Sequence, residues 1–246
     1  FSFDKVYTKS LLNDEANQIN IKKQLETFFK AAKKEDQVIL FMAGHGLLNE
    51  EETYFFAPTD MDFANISKKG ISIESILSIL KDIKSENKLL LMDTCHSGKV
   101  LDAISSDGNS YNSETSPSKR GAIPVSSKNN STYKVSDVIN GLFGPTFLAN
   151  SDISIISASS GIDVAYENET LSNGAFTSGY IKLIMNKLQM GPLGIGGYYD
   201  EKSLQKSIPL NRKFIDELFS EVMLLTNKKQ LPDLRQLNEA SSIKIW

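Results

Sequence analysis

Two short segments of this chain hold its one cysteine and both of its histidines, residue types that can pair a nucleophile with a base. The single cysteine, Cys95, lies in LLLMDTCHSG (89–98), followed at once by His96; the second histidine, His45, lies in FMAGHG (41–46). A thiol attacks a carbonyl only as the thiolate, so at neutral pH it needs a nearby base or positive charge. His45 can supply that if the two segments meet. Gly44 and Gly46 flank the histidine and Gly98 closes the second segment. Small residues let a substrate backbone approach closely and leave backbone N–H groups free to face a developing oxyanion.

The segments that must bring these residues together read as alternating strands and helices. QVILFM (37–42) and KLLLMD (88–93) are continuous apolar runs, the pattern of strands buried on both faces, and each stops just before the histidine or the cysteine. A short strand is expected at Val6 and Tyr7, another over TYFFAP (53–58), and one more over ISIISAS (153–159). A helix over 15–33 carries Leu25, Phe28, Phe29 and Ala32 on one face. A second starts at the N-cap Ser72 and buries Ile73, Ile76, Leu77, Leu80 and Ile83. Helices near 175–190 (Phe176, Tyr180, Leu183, Ile184, Leu188, with Gly191-Pro192 as the stop) and 212–228 (Ile215, Leu218, Phe219, Val222, Leu225) follow, and IKIW at the end reads as an edge strand. This alternation predicts an α/β fold with a mostly parallel central sheet and helices on both faces. In such sheets ligands bind beyond the carboxyl ends of the strands, where His45 and Cys95 both fall.

Composition narrows the function classes. The chain has 246 residues, 40% hydrophobic and 23% charged, with net charge −3. Nothing in that balance suits nucleic acid or an anionic membrane surface, and no apolar run is long enough to span a bilayer. One cysteine forms no internal disulfide, which favours a reducing, cytoplasmic setting. The chain opens on Phe1 rather than Met, so an earlier segment is expected. Residues 105–135, rich in Ser, Asn, Gly and Lys, read as a long exposed loop between a first portion (1–104) and a last (151–246), with 105–150 as a polar linker. Three potential N/S ligands, two of them adjacent, do not match zinc spacing. GPLGIGG lacks the G-K-[ST] of a phosphate loop, and no G-x-S-x-G elbow exists. Taken alone, Cys95 reads more readily as a buried structural residue and His45 as a turn residue; it is their pairing that points to catalysis.

The pair FMAGHG and LLLMDTCHSG resembles the histidine and cysteine motifs of the caspase-like cysteine peptidases, whose histidine stands about 50 residues before the cysteine. The D-x-C-H-S-G pattern is closer to metacaspases and their bacterial relatives than to animal caspases. TYFFAPTD and ISASSGIDVAYEN…NGAFTSGYIKLI extend the likeness over most of residues 1–190. The resemblance implies a caspase-like sandwich and a cysteine endopeptidase with Cys95 as nucleophile and His45 as general base and acid. It implies an oxyanion hole from the backbone N–H groups of Gly46 and Cys95, with His96 outside the dyad.

It also implies that Asp93, two residues before the cysteine, lines the primary specificity pocket and favours Arg or Lys before the scissile bond. Asp163 and Glu167 would add negative charge at the rim, although as residues alone they read as solvated surface charges. Asp93 could equally cap the turn that follows it. Lys119-Arg120, in the polar loop, would suit self-cleavage by a zymogen, or be an ordinary solvated basic pair. In this group an apolar strand and helix usually precede the segment matching Phe1 to Asn13, so the first strand is expected to be missing here. Position 43 is Ala where metacaspases often carry Ser. No cofactor is implied; calcium, which activates some members, has no identifiable ligands in the sequence. A protein or peptide substrate and regulatory domains beyond this chain are the expected partners. The competing reading is a catalytically silent caspase-like module in a signalling or defence assembly.

Overall fold

The structure is a computed structural model, and it describes residues 3–49, 53–95, 119–120, 123–124, 152–159, 165–166, 173–188, 208–237 and 243–244. Its centre is a sheet built on three parallel strands. These are β1 (Gln37–Leu48), β4 (Asn87–Cys95) and β7 (Ile153–Ser157). Two short strands, β2 (Tyr54–Phe56) and β3 (Ile71–Ser72), extend it antiparallel beyond β1. β9 (Asp233–Gln236) pairs antiparallel with β7, giving the order β3-β2-β1-β4-β7-β9. Two further pairings involve β5 (Lys119–Arg120), β6 (Ile123–Pro124) and β8 (Ala165–Tyr166): β6 joins the end of β1 in parallel, and β5 pairs with β8.

Each face of the sheet has its own core, because side chains alternate along a strand. Val38, Met42, Leu90, Met92, Ile153 and Ile155 pack against α1 (Gln18–Thr27) and α3 (Ile73–Asp82), which bury Ile21, Leu25, Ile73, Ile76, Leu77 and Leu80. A one-turn helix, α2 (Ile66–Lys69), lies between β2 and β3. On the opposite face, Leu89, Leu91 and Ile156 pack against α4 (Ala175–Lys187) and α5 (Arg212–Leu225). Local chemistry starts three of these helices. Asn17, Ser72 and Asn211 each accept a first-turn N–H, from Asn20, Ser75 and Phe214 respectively.

Several expectations need correction. Val6 and Tyr7 form no strand; both are exposed. β1 is not buried on both faces, since Ile39 and Phe41 are 38% and 46% exposed. They share the face of Leu89 and Leu91, but α4 and α5 cover β4 and β7 and leave β1 at the margin of that layer. The strand also runs six residues past Met42, through Ala43-Gly44-His45-Gly46, because β4 pairs with it as far as His45 and β2 takes up Gly46 to Leu48. The 15–33 helix is shorter, ending at Thr27 with a 3-10 turn over Phe29–Ala31. Of the expected edge strand over IKIW, the described residues Ile243 and Lys244 show an isolated antiparallel bridge, Pro209 to Lys244; Ile245 and Trp246 lie outside the described residues. Within 105–135, Lys119–Arg120 and Ile123–Pro124 are paired strands and not unstructured loop; the remainder of that stretch lies outside the described residues.

Candidate active site

The β1–β4 ladder runs in register from Gln37↔Asn87 to a last rung, His45↔Cys95. Neighbouring strands lie about 4.8 Å apart, so the backbones of the two residues are held side by side at the carboxyl edge of the sheet. Fifty residues of chain separate them, and the parallel crossover through α3 closes that gap. The turns expected there are instead the final rungs of the ladder, which fixes the pair more firmly than two loops would. His45 is exposed, and its carbonyl accepts the Ala57 N–H at 3.0 Å, so its backbone is locked into the hairpin with β2.

Gly44 precedes the histidine within β1. Its φ is +155°, and a Cβ there would sit 3.2 Å from the Phe56 ring. A side chain at 44 would thus be both strained and crowded directly before the histidine.

Asp93 is not at the surface. It is 1% exposed, and its Oδ2 accepts hydrogen bonds from the Thr177 hydroxyl and, at 3.3 Å, from the Thr177 N–H. Thr177 is the third residue of α4, whose own N-cap, Gly174, offers no side chain. The carboxylate therefore caps a helix, as an aspartate often does, but one 84 residues away rather than the turn that follows it. The partly positive helix start offsets part of the cost of burying it. Gly174 permits the approach: a Cβ there would lie 2.7 Å from Oδ2.

Thr94, one residue on, is fully buried and accepts a 2.8 Å hydrogen bond from the Tyr54 hydroxyl of β2. Tyr54, Thr94, Thr177 and Gly174 were not singled out by the sequence reading. Tyr54 and Thr177 lie in two of the stretches that carry the family likeness, but nothing local distinguishes them, since their partners are remote in sequence.

Asp163, Glu167 and His96 lie outside the described residues, and Lys119-Arg120 stand in β5, away from the His45–Cys95 rung in sequence and in a separate two-stranded ladder. Gly46 opens the pairing of β1 with β2, opposite Phe56. Among the described residues no three His, Cys, Asp or Glu side chains gather as a metal site, and no helix is long and apolar enough to cross a membrane. The buried amine of Lys88 stands at the other end of β4; burial lowers its pKa, and it donates to the Ile83 carbonyl at 3.0 Å.

Residues 3–104, which contain both motifs, match the family model of the metacaspase, peptidase C14 domain. No curated protein matches the chain. Among solved structures, the crystal structure of a Geobacter sulfurreducens protein determined as a structural-genomics target aligns with a TM-score of 0.52 at 16% identity, covering 92% of this chain and 75% of that one. That likeness concerns the fold alone, an α/β sheet with helices. Over the stretch that carries the His45–Cys95 rung, the chain is similar to the metacaspases, cysteine peptidases of the C14 family.

Proposed function

We propose that the protein is a cysteine endopeptidase in which His45 and Cys95 act as a dyad. The observation that carries the reading is the final rung of the β1–β4 ladder, which pairs these two residues within the stretch matching a peptidase family. In this reaction His45 takes the thiol proton and the sulfur attacks the scissile carbonyl carbon. The oxyanion is held by the backbone N–H groups of Gly46 and Cys95. His45 then returns the proton to the leaving amine, and water hydrolyses the thioester that remains. Protein or peptide substrates follow from the chemistry.

The preferred residue before the cut is Arg or Lys, with Asp93 as the anion at the base of the pocket and Asp163 and Glu167 at its rim. A carboxylate already oriented by Thr177 would meet a guanidinium with little further loss of freedom. Its burial means that the surroundings of the β4 end open to admit the substrate. Self-processing at Lys119-Arg120 would require β5 to leave its ladder with β8.

The test is a set of fluorogenic peptides differing only before the scissile bond (Arg, Lys, Asp, Asn, Ala), with wild type, Cys95→Ala and His45→Ala, with and without calcium. The expected result is cleavage after Arg or Lys, reduced roughly 10³-fold or more by either substitution. Cleavage after Asp would keep the dyad and overturn the pocket. A wild-type protein that cleaves nothing, and whose Cys95 alkylates no faster than free cysteine, would be the silent interaction module.

A further inference from the structure

The last two residues before Cys95 are held from opposite sides of the sheet. Asp93 lies on the face covered by α4 and α5 and is bound by Thr177. Thr94 lies on the face covered by α1 and α3 and is bound by the Tyr54 hydroxyl. Thr94 and Tyr54 are completely buried and Asp93 nearly so. Polar pairs in such a setting are costly to break, because each freed group is stranded without water. A strand needs no such pairs to stay in its ladder: residues 89–92 are held by backbone bonds and apolar packing alone. At the carboxyl end the polar pairs stand where the ladder to β7 has ended, at Met92↔Ser157, while the ladder to β1 continues three residues further to Cys95. Among the described residues β7 offers no rung beyond Met92, and the side-chain bonds hold that end of the strand.

We propose that Tyr54, Thr94, Asp93 and Thr177 form a clamp that fixes the free end of β4 and so positions Cys95 against His45, with Tyr54 and Thr177 as positioning residues. The proposal rests on the dyad reading. One arm of the clamp reaches α4, which lies in the last portion of the chain, so the geometry of a dyad built within residues 37–95 depends on a helix 80 residues beyond it. The other arm reaches β2, whose hairpin also seats His45. Tyr54 thus contacts the strand of the nucleophile and belongs to the hairpin of the base.

Cys95 is the only cysteine, so its alkylation by iodoacetamide can be followed without interference. Rates across about pH 5 to 9 would be measured for wild type, Thr177→Val, Tyr54→Phe and Thr177→Ser, together with kcat and KM on the best peptide. Ser85→Ala serves as the control. Ser85 is buried at the opposite end of β4, where it donates to the Asp36 carbonyl at 2.6 Å and accepts from Asn87 N–H at 3.0 Å. In wild type, a thiol paired with His45 titrates below the ordinary value of about 8.5. Thr177→Val and Tyr54→Phe are expected to move the alkylation profile towards that ordinary value and to lower kcat roughly 10-fold each, as a small misplacement of reacting groups does, with KM little changed in Tyr54→Phe and raised in Thr177→Val, which also frees the pocket carboxylate. Thr177→Ser should restore both, and Ser85→Ala should lower thermal stability while leaving both in place. An activated thiol in wild type that Thr177→Val and Tyr54→Phe leave unmoved would overturn the clamp and spare the dyad. An equal shift in Ser85→Ala would also overturn the clamp, since loosening anywhere along β4 would then suffice. A wild-type thiol with ordinary reactivity would remove the dyad and the clamp with it.

Discussion

Two carboxylates in this molecule each hold the first turn of a helix remote in sequence, and their surroundings are opposite. Asp60, in the loop after β2, accepts the Gln18 N–H of α1 at 2.8 Å and the Lys69 ammonium at 2.8 Å, with its side chain 32% exposed. Asp93, within β4, accepts the Thr177 N–H and hydroxyl of α4 and is 1% exposed. Asp60 has a cation beside it and is partly exposed to solvent, and α1 has a cap of its own in Asn17. Asp93 has neither a described cation nor a local cap to share the work. The same bond is therefore an accessory at one site and a structural requirement at the other, and only the second stands two residues from the proposed nucleophile.

The comparison breaks most visibly at Asp93. Asp93→Ala leaves the Thr177 hydroxyl and N–H buried without their acceptor, and should lower unfolding stability by roughly 2–3 kcal/mol in urea titrations. Gly174→Ala should cost about as much, because its Cβ would enter the carboxylate's space. The two are not additive. With the carboxylate gone the methyl group fits, so the double variant should be more stable than the sum of single losses implies by about 1 kcal/mol or more. Strict additivity would mean that the close approach is not what makes position 174 a glycine.

Asp60→Asn should cost less, about 1 kcal/mol or below. The hydrogen bond from Lys69 and that from Gln18 N–H hold the Asp60 carboxyl below its ordinary pKa. Its folded value is thus lower than its unfolded one, so its contribution is complete above the unfolded value and fades as pH falls through the folded one. Melting temperatures of wild type and Asp60→Asn should differ at neutral pH and converge below about pH 4. A gap that stays constant down to acid pH would assign the effect to shape rather than charge. Smallest of all, Lys69→Met should change stability by a few tenths of a kcal/mol and only at low salt, as partly exposed ion pairs do.

The sequence exposed most of the frame. The apolar stripe of α3 behind its Ser72 cap, the inward residues of α4 and α5, and the parallel strands at β4 and β7 all follow from periodicity and flanking residues, because a helix or a strand must bury its apolar face. Phe214, absent from the expected α5 stripe, is also buried, one turn before Leu218 on the same face. Short elements escaped as well. β3, α2 and β9 have two to four residues each, too few to show a period; β3 and β9 exist because a neighbouring strand supplies hydrogen bonds, and α2 is a single turn closed by the Gly70 N–H on the Ile66 carbonyl.

The candidate site divides in the same way. Residue types pointed to Cys95 and to the two histidines beside glycines at strand ends, and the family resemblance separated His45 from His96. That His45 and Cys95 share a rung was decided by the parallel register of β1 and β4, which no local pattern fixes. Asp93 could be read from the sequence as a pocket residue or as a cap for its own turn. Its bond to Thr177, and that between Thr94 and Tyr54, join residues 84 and 40 positions apart. A hydrogen bond needs its partner within about 3 Å, and over such separations only the packed sheet and its helices determine which polar groups meet.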